Sequence, residues 1–127
     1  MELVAIVILL AILEYMVFSM VVGWARGKYG VKAPAISGDP VFERYYRVHQ
    51  NTLEQLIVFI PVILIYGYFG NPTWAAAIGV LFLVGRPVYF LGYVKDPAKR
   101  GPGFGLGFVA NVILLIAGLV AIIRSLL

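Results

Sequence analysis

The sequence predicts an all-α, integral membrane protein built as a bundle of four packed helices. Three observations predict this fold: 62% of residues are hydrophobic and 13% charged, four apolar stretches are long enough to cross a bilayer, and most charges lie between those stretches. An average soluble domain is about half apolar and carries roughly a quarter charged residues. We therefore expect a single transmembrane domain over residues 1–127.

Four segments contain the roughly 20 mostly apolar residues that a helix needs to cross the hydrocarbon core. The predicted spans cover about 3–24, 42–69, 74–94 and 103–127. The first span lacks the short apolar core and small-residue cleavage site of a signal peptide, so we expect it to be retained. None of the spans shows the alternation of polar and apolar residues that a membrane barrel requires.

The later spans carry features that predict their shape. The second span begins with a polar stretch after Pro40, and Pro61 should kink it because proline lacks a backbone donor and clashes with the preceding turn. The fourth span opens with closely spaced glycines, whose small size lets helices approach one another. These glycines are Gly101, Gly103, Gly105 and Gly107.

Lysine and arginine lie mainly in the connections between spans one and two and between spans three and four. The connection between spans two and three, residues 70–73, has no charge. The positive-inside rule therefore predicts that both charged connections are cytoplasmic and that both termini lie outside. Contact with anionic membrane lipid is an alternative reason for the same cations, and no nucleic-acid partner is predicted.

The sulfur-bearing and metal-binding side chains are few. The chain contains no cysteine and one histidine. This composition excludes disulfides, thiolate metal sites and a thiol nucleophile supplied by the protein, and no metal site is predicted. Any sulfur chemistry must use the thiol of a cosubstrate.

Three polar residues share one face at the start of the second span. Arg47, Asn51 and Glu54 follow the spacing i, i+4, i+7, which places them within an arc of roughly 60° on a helix. Ionisable groups at a membrane edge are costly unless they are paired or hydrated. The stripe therefore predicts either a ligand site or a structural ion-pair network between Arg47 and Glu54.

A second polar face is expected at the same depth of the membrane. Tyr89 and Tyr93 lie four residues apart on the third span, Arg86 lies one turn earlier, and Arg100 follows the end of the span. Tyrosines at this level also suit an aromatic belt at the interface. Together, however, arginine for carboxylates, glutamate for an ammonium, asparagine for an amide and tyrosine as donor suit a small zwitterionic peptide.

Two runs of sequence carry a resemblance to a known family. The run Phe42-Glu43-Arg44-Tyr45-Tyr46-Arg47-Val48-His49-Gln50-Asn51-Thr52-Leu53-Glu54 and the run Arg86-Pro87-Val88-Tyr89-Phe90-Leu91-Gly92-Tyr93 stand in the right order and separation. They resemble the two signatures of the MAPEG family, the membrane-associated proteins in eicosanoid and glutathione metabolism. The resemblance is to its microsomal glutathione transferase and leukotriene C4 synthase branches, and it covers most of the chain.

The resemblance implies a homotrimer that binds glutathione, as a cosubstrate, between neighbouring subunits. Arg26 would reach glutathione from the neighbour, while His49 either serves the adjacent subunit's site or packs between helices. Arg100 would activate the thiol, and Tyr93 or Tyr89 would add a hydrogen bond. The remaining contacts would come from one subunit, through Arg47, Asn51, Glu54, Tyr89 and Tyr93.

The implied activity is that of a glutathione transferase, with peroxidase activity as a variant, acting near the cytoplasmic face. Its second substrate would be a lipophilic electrophile or a lipid hydroperoxide from the membrane, as in detoxification. A non-catalytic lipid-binding or scaffold protein of the same fold is the main alternative. A small transporter-like bundle is another, for which Glu14 is the only hint; Glu14 otherwise packs or bonds to Tyr15.

Several residues depart from the leukotriene-forming branch. Gly27 stands where that branch has a second arginine, and Gln55 stands where it has a tyrosine. Pro87 interrupts the second signature, and Pro61 has no counterpart. These differences argue against leukotriene synthesis and leave the prediction of glutathione binding in place.

Overall fold

The computed structural model describes all 127 residues and consists of four long α-helices. All four are long and apolar enough to cross a membrane. This confirms the prediction of an all-α, four-helix membrane fold. The helices are α1 (Glu2–Tyr29), α2 (Pro40–Phe69), α3 (Pro72–Lys95) and α4 (Gly101–Leu126), with a single 3-10 turn over Pro97–Lys99 before α4.

Short polar side chains and prolines fix where α2 and α3 begin. The Asp39 carboxylate accepts hydrogen bonds from the backbone N–H groups of Val41 and Phe42, both at 2.9 Å. The side chain of Asn71 accepts one from the backbone N–H of Trp74 at 3.1 Å. A proline follows each cap, at the position where its missing donor costs nothing.

The first helix continues beyond the predicted apolar span, as far as Tyr29. It ends at Gly30, whose φ of 70° and ψ of 30° lie in the left-handed region that glycine adopts readily. The backbone N–H of Val31 donates to the carbonyl of Arg26 at 3.1 Å and completes this end. Arg26 and Lys28, in the last turn of α1, therefore lie beyond the predicted apolar span.

Neither internal proline interrupts its helix. Pro61 lies within α2 and Pro87 within α3, and both helices continue on either side. Prolines inside membrane helices are tolerated when neighbouring helices and local adjustments satisfy the freed carbonyls. The second polar face therefore stays on one continuous helix despite Pro87.

Glycine brings α3 and α4 together below the predicted polar faces. A Cβ added at Gly103 would overlap the backbone of Tyr89, and one at Gly85 would lie 3.0 Å from the Gly107 nitrogen. Gly101 and Gly105 have no such neighbour within 4 Å. The close approach predicted for the glycine run is therefore made by Gly103, together with Gly85 on α3.

The interior is small for a chain of this length. Only 27 of the 127 residues are buried, around stacked rings of Phe59 and Phe82 whose centroids lie 4.0 Å apart. Large apolar side chains such as Met20, Ile57 and Leu91 are mostly exposed. Such a surface is stable in lipid or against other subunits and is unusual for a protein in water.

Candidate functional site

One cleft brings together the polar faces of α2 and α3. Its volume is about 220 Å³, and it opens at the end of the bundle where α2 begins and α3 ends. The two faces therefore lie at the same depth, as the sequence predicted. The cleft is lined by Arg47, Gln50, Asn51, Glu54, Tyr89, Tyr93 and Arg100.

The charged side chains of the cleft have no ionic partner within the chain. The one ion pair in the structure joins the N-terminal ammonium to Glu2, at 3.2 Å. Arg47 and Glu54 form neither the ion pair that would make them a structural network nor another side-chain hydrogen bond. Arg100 donates to the carbonyl of Pro97 at 3.0 Å and has donors left over. The cleft thus presents uncompensated charges of both signs.

A fully buried arginine lies beneath the cleft. Nη1 of Arg86 donates to Oδ1 of Asn51 at 2.8 Å, and its guanidinium carbon lies 4.5 Å from the ring centroid of Tyr89. Because the Asn51 oxygen accepts this bond, the NH₂ group of this cleft residue remains available as a donor. In the sequence, Arg86 lies one turn before Tyr89, and this spacing was the only indication that it belongs near the site. The sequence did not indicate what Arg86 contacts.

Several polar atoms around Arg86 remain without a partner. Its Nε and Nη2 atoms are buried without a hydrogen bond, as is Oε1 of Glu14. Glu14 makes no hydrogen bond to Tyr15, whose ring instead stacks on His49 at a centroid distance of 4.6 Å. Glu14 does not line the cleft.

Hydrogen bonds hold the end of α3 and the 3-10 turn that lead to Arg100. Nη1 of Arg44 donates to the carbonyls of Val94 and Lys95, at 3.1 and 3.3 Å, so α2 holds the last turn of α3. The Asp96 carboxylate accepts from the backbone N–H of Ala98 at 3.1 Å and caps the 3-10 turn that follows. These contacts fix the position of Arg100 at the mouth of the cleft.

Two residues predicted to serve a shared site do not line the cleft. Nη1 of Arg26 donates to the carbonyl of Ala35 at 2.6 Å, and its guanidinium lies 5.0 Å from the ring centroid of Phe42. His49 faces α1 through its stacking on Tyr15. Arg26 was predicted to act across a subunit boundary, and His49 either to do so or to pack between helices. A role across the boundary stays a prediction for both residues.

A second hollow lies beside the cleft at the end of the bundle. This hollow, of about 300 Å³, shares Arg47 and Tyr93 with the cleft and is bordered also by Arg44 and Glu43. Sites for small ligands usually measure about 300–1,000 Å³, so the cleft alone is small and a ligand that also occupied the adjacent hollow would have more room.

Comparison with known proteins identifies the family. The MAPEG family matches residues 4–120. The chain belongs to the MAPEG family. The resemblance carried by the two signatures is thereby confirmed, and the cleft is formed where the two MAPEG signatures meet.

Similar proteins include members named for glutathione chemistry. Microsomal glutathione S-transferase 2 of Homo sapiens is 36% identical over 125 residues, 98% of this chain and 85% of that protein. Leukotriene C4 synthase of Bos taurus is 36% identical over 98 residues, 77% of this chain and 65% of that protein. An uncharacterized protein of Synechocystis is 42% identical over 122 residues, 96% of this chain and 89% of that protein.

Proposed function

We propose that this MAPEG protein is a membrane-bound glutathione transferase, with peroxidase activity toward lipid hydroperoxides. The observation that carries the proposal is the cleft, in which Arg47, Glu54 and Arg100 lie together without ionic partners. Charged groups at a membrane edge are stable when a ligand pairs with them or water solvates them. The relative named microsomal glutathione S-transferase 2, which is similar over nearly the whole chain, supports the same assignment.

The charges of the proposed site complement those of the thiolate form of glutathione. That form carries two carboxylates, one thiolate and one ammonium. Arg47 and Arg100, together with Arg26 of a neighbouring subunit, would supply three positive charges, and Glu54 would supply the one negative charge. Arginine binds carboxylates through two parallel hydrogen bonds, so this pairing also orients the tripeptide. Asn51 and the two tyrosines would donate to the peptide and the sulfur.

Arg100 is proposed to activate the thiol. The pKa of a free thiol of this type is about 8.5, so only a minor fraction is ionised at neutral pH. A guanidinium beside the sulfur favours the thiolate, and each unit of lowered pKa corresponds to about 1.4 kcal/mol. The fixed 3-10 turn would hold Arg100 at this position, while Tyr93 or Tyr89 would donate a hydrogen bond to the same sulfur.

The thiolate then has two routes. In transfer, its lone pair forms a carbon–sulfur bond to the electrophile, and a leaving group departs or a proton neutralises the adduct. In peroxide reduction, the thiolate attacks the outer oxygen, the O–O bond breaks, and the departing alkoxide takes a proton to become the alcohol. A second glutathione then attacks the resulting sulfenic acid and forms the disulfide with release of water. Apolar substrates would arrive from the bilayer, where they concentrate.

Binding of glutathione is the first test. Calorimetry on the detergent-purified protein should show binding of glutathione and also of an analogue that lacks the thiol, because most contacts involve the charged ends. Glu54→Gln should weaken the affinity by roughly tenfold, the value of a charge-assisted hydrogen bond. Glu2→Gln, at the other end of the bundle, is the matched control. Absence of binding at millimolar glutathione would instead support a lipid-binding protein.

Thiol activation is the second test. The ultraviolet absorbance of bound thiolate, titrated against pH, should show a lowered pKa of glutathione in the unmodified protein. Arg100→Ala should return that pKa toward the free value and reduce turnover with a model electrophile. Lys99→Ala removes the neighbouring charge, which lies outside the cleft, and should change neither quantity. Unchanged thiolate formation in the Arg100 variant would exclude the proposed role.

A further inference from the structure

A cavity larger than the proposed glutathione cleft lies at the opposite end of the bundle. It measures about 550 Å³ and lies between the last turns of α2 and α4. The Asn51 level of α2 and the Phe69 level are about 27 Å apart at 1.5 Å per residue, so the two spaces are separate. Its walls include Tyr66, Phe69, Ala117, Ala121, Arg124 and Ser125.

Small residues on α4 create this hollow. Ala117 and Ala121 lie one turn apart on one face of the helix, and both border the cavity. Most other exposed positions of α4 carry leucine, isoleucine, valine or phenylalanine, which would occupy such a space. Ala117, Val120 and Ala121 form an apolar floor one to two turns before Arg124, where the first methylene groups of an acyl chain would lie.

The polar groups of the cavity are donors. Arg124 makes no ion pair and no side-chain hydrogen bond within the chain. The oxygen of the Asn71 amide accepts from the Trp74 backbone, which leaves its NH₂ group free. Ser125 and Tyr66 add hydroxyl groups, and no carboxylate borders the space. An anion is the ligand that this set of donors favours.

Arg124 is also unusual in its position. Among the ten lysines and arginines, it is the one at this end of the bundle. A cation in the last turn of a helix gains some energy from the helix dipole, about 0.3–1 kcal/mol, but that gain requires no cavity. An arginine beside an apolar cavity can instead bind an amphiphile whose planar anionic group pairs with the guanidinium and whose apolar chain lies in the cavity.

We propose that this cavity binds the carboxylate end of a single-chain fatty acid. The Arg124 guanidinium pairs with the carboxylate through two parallel hydrogen bonds, and the acyl chain follows the alanine face of α4 into the bilayer. The site is distinct from the glutathione cleft and involves no reaction. Its occupant is the fatty acid itself; a phospholipid phosphate, with two acyl chains, is the competing occupant that the test must exclude.

The experiment uses the full chain in nanodiscs of phosphatidylcholine. A photoreactive oleate analogue is cross-linked, the modified residues are mapped by mass spectrometry, and unmodified oleate and neutral oleyl alcohol compete. Cross-links should map to the cavity walls and be displaced by oleate but not by oleyl alcohol. Arg124→Gln should weaken oleate binding by roughly tenfold, as expected for loss of a charge-assisted pair, whereas Arg124→Lys should retain part of it.

Two further variants separate the cavity from general attraction to the membrane. Ala121→Leu fills the floor while keeping Arg124 and should also reduce labelling. Lys32→Gln removes an exposed cation far from the cavity and should have no effect. Thermal unfolding of each variant confirms the fold independently of glutathione binding. The proposal is overturned if Lys32→Gln reduces labelling as much as Arg124→Gln, if neither cavity variant reduces it, or if phosphatidylglycerol displaces the probe as well as oleate.

Discussion

Arg86 shows how a single buried side chain can organise a site that it does not line. It reaches from α3 to Asn51 on α2 and lies against the ring of Tyr89, so it holds two cleft residues at once. A buried guanidinium with two unpartnered nitrogens is costly inside a membrane bundle. The contact to the cleft gives a physical reason for a charge at this depth, namely that it positions groups that meet the ligand.

We expect Arg86→Lys to weaken glutathione binding. Lysine keeps the charge but lacks the planar fork, so it cannot both bond the Asn51 amide and lie flat on the Tyr89 ring. The affinity measured by calorimetry should fall by roughly tenfold, the value of one hydrogen bond to a charged group. Lys32→Arg, an exchange in the opposite direction on an exposed residue, is the control. Affinity equal to that of the unmodified protein would contradict a positioning role.

The sequence could predict which residues share one helix face, but it could not predict which residues touch between two helices. Arg47, Asn51 and Glu54 share a face because of helix periodicity alone, and the cleft contains all three. The hydrogen bond from Arg86 to Asn51 crosses between helices and depends on how α3 is rotated against α2. Periodicity carries no information about that rotation, so the spacing of Arg86 from Tyr89 was visible and its partner was not.

At the scale of elements, the contact between α3 and α4 sets the position of Tyr89. Gly103 touches the backbone of Tyr89 itself, so any side chain there separates the two helices. The glycine run predicted close approach without indicating which of its members makes it. Alternate residues of a helix point in different directions, and only the packed structure shows that Gly103 faces α3 while Gly105 does not.

A pair of alanine substitutions tests this contact. Gly103→Ala should destabilise the protein by about 1–3 kcal/mol, the usual cost of overpacking, and should lower the thermal unfolding midpoint in detergent. Gly105→Ala meets no neighbour within 4 Å and should be neutral or stabilising by up to about 1 kcal/mol, because alanine favours helix. Equal effects of the two substitutions would show that helix propensity, rather than the α3–α4 contact, controls stability here.

The start of α2 offers a second test at this scale. Asp39→Ala removes the acceptor of two backbone N–H groups and should cost about 1 kcal/mol. Because this turn leads directly into the face that carries Arg47, amide hydrogen exchange should rise at residues 41 and 42. Asp39→Asn, which keeps an acceptor, should preserve most of the protection. Unchanged exchange in the alanine variant would show that Pro40 alone sets the helix start.

At the scale of the whole molecule, the surface suits contact with lipid or with other subunits. Long apolar side chains cover much of its surface, and the cleft that holds charges of both signs is open at one end. Arg26 lies outside that cleft and contacts its own loop through Ala35. Hydropathy predicted the four helices, but the boundary between lipid-facing and subunit-facing surfaces has no signal in apolar composition, since both are hydrophobic.

A mixing experiment tests whether a neighbouring subunit completes the site, as the proposed homotrimer requires. Arg26→Ala and Arg47→Ala should each abolish most glutathione conjugation when expressed alone. Co-expressed in equal amounts, they should restore about a quarter of the activity per site, because a complete site forms only when one subunit brings Arg47 and its neighbour brings Arg26. A protein carrying both substitutions, mixed with either single variant, is the control and should restore none. Failure of the two single variants to complement each other would place both arginines in one subunit's site or remove Arg26 from it.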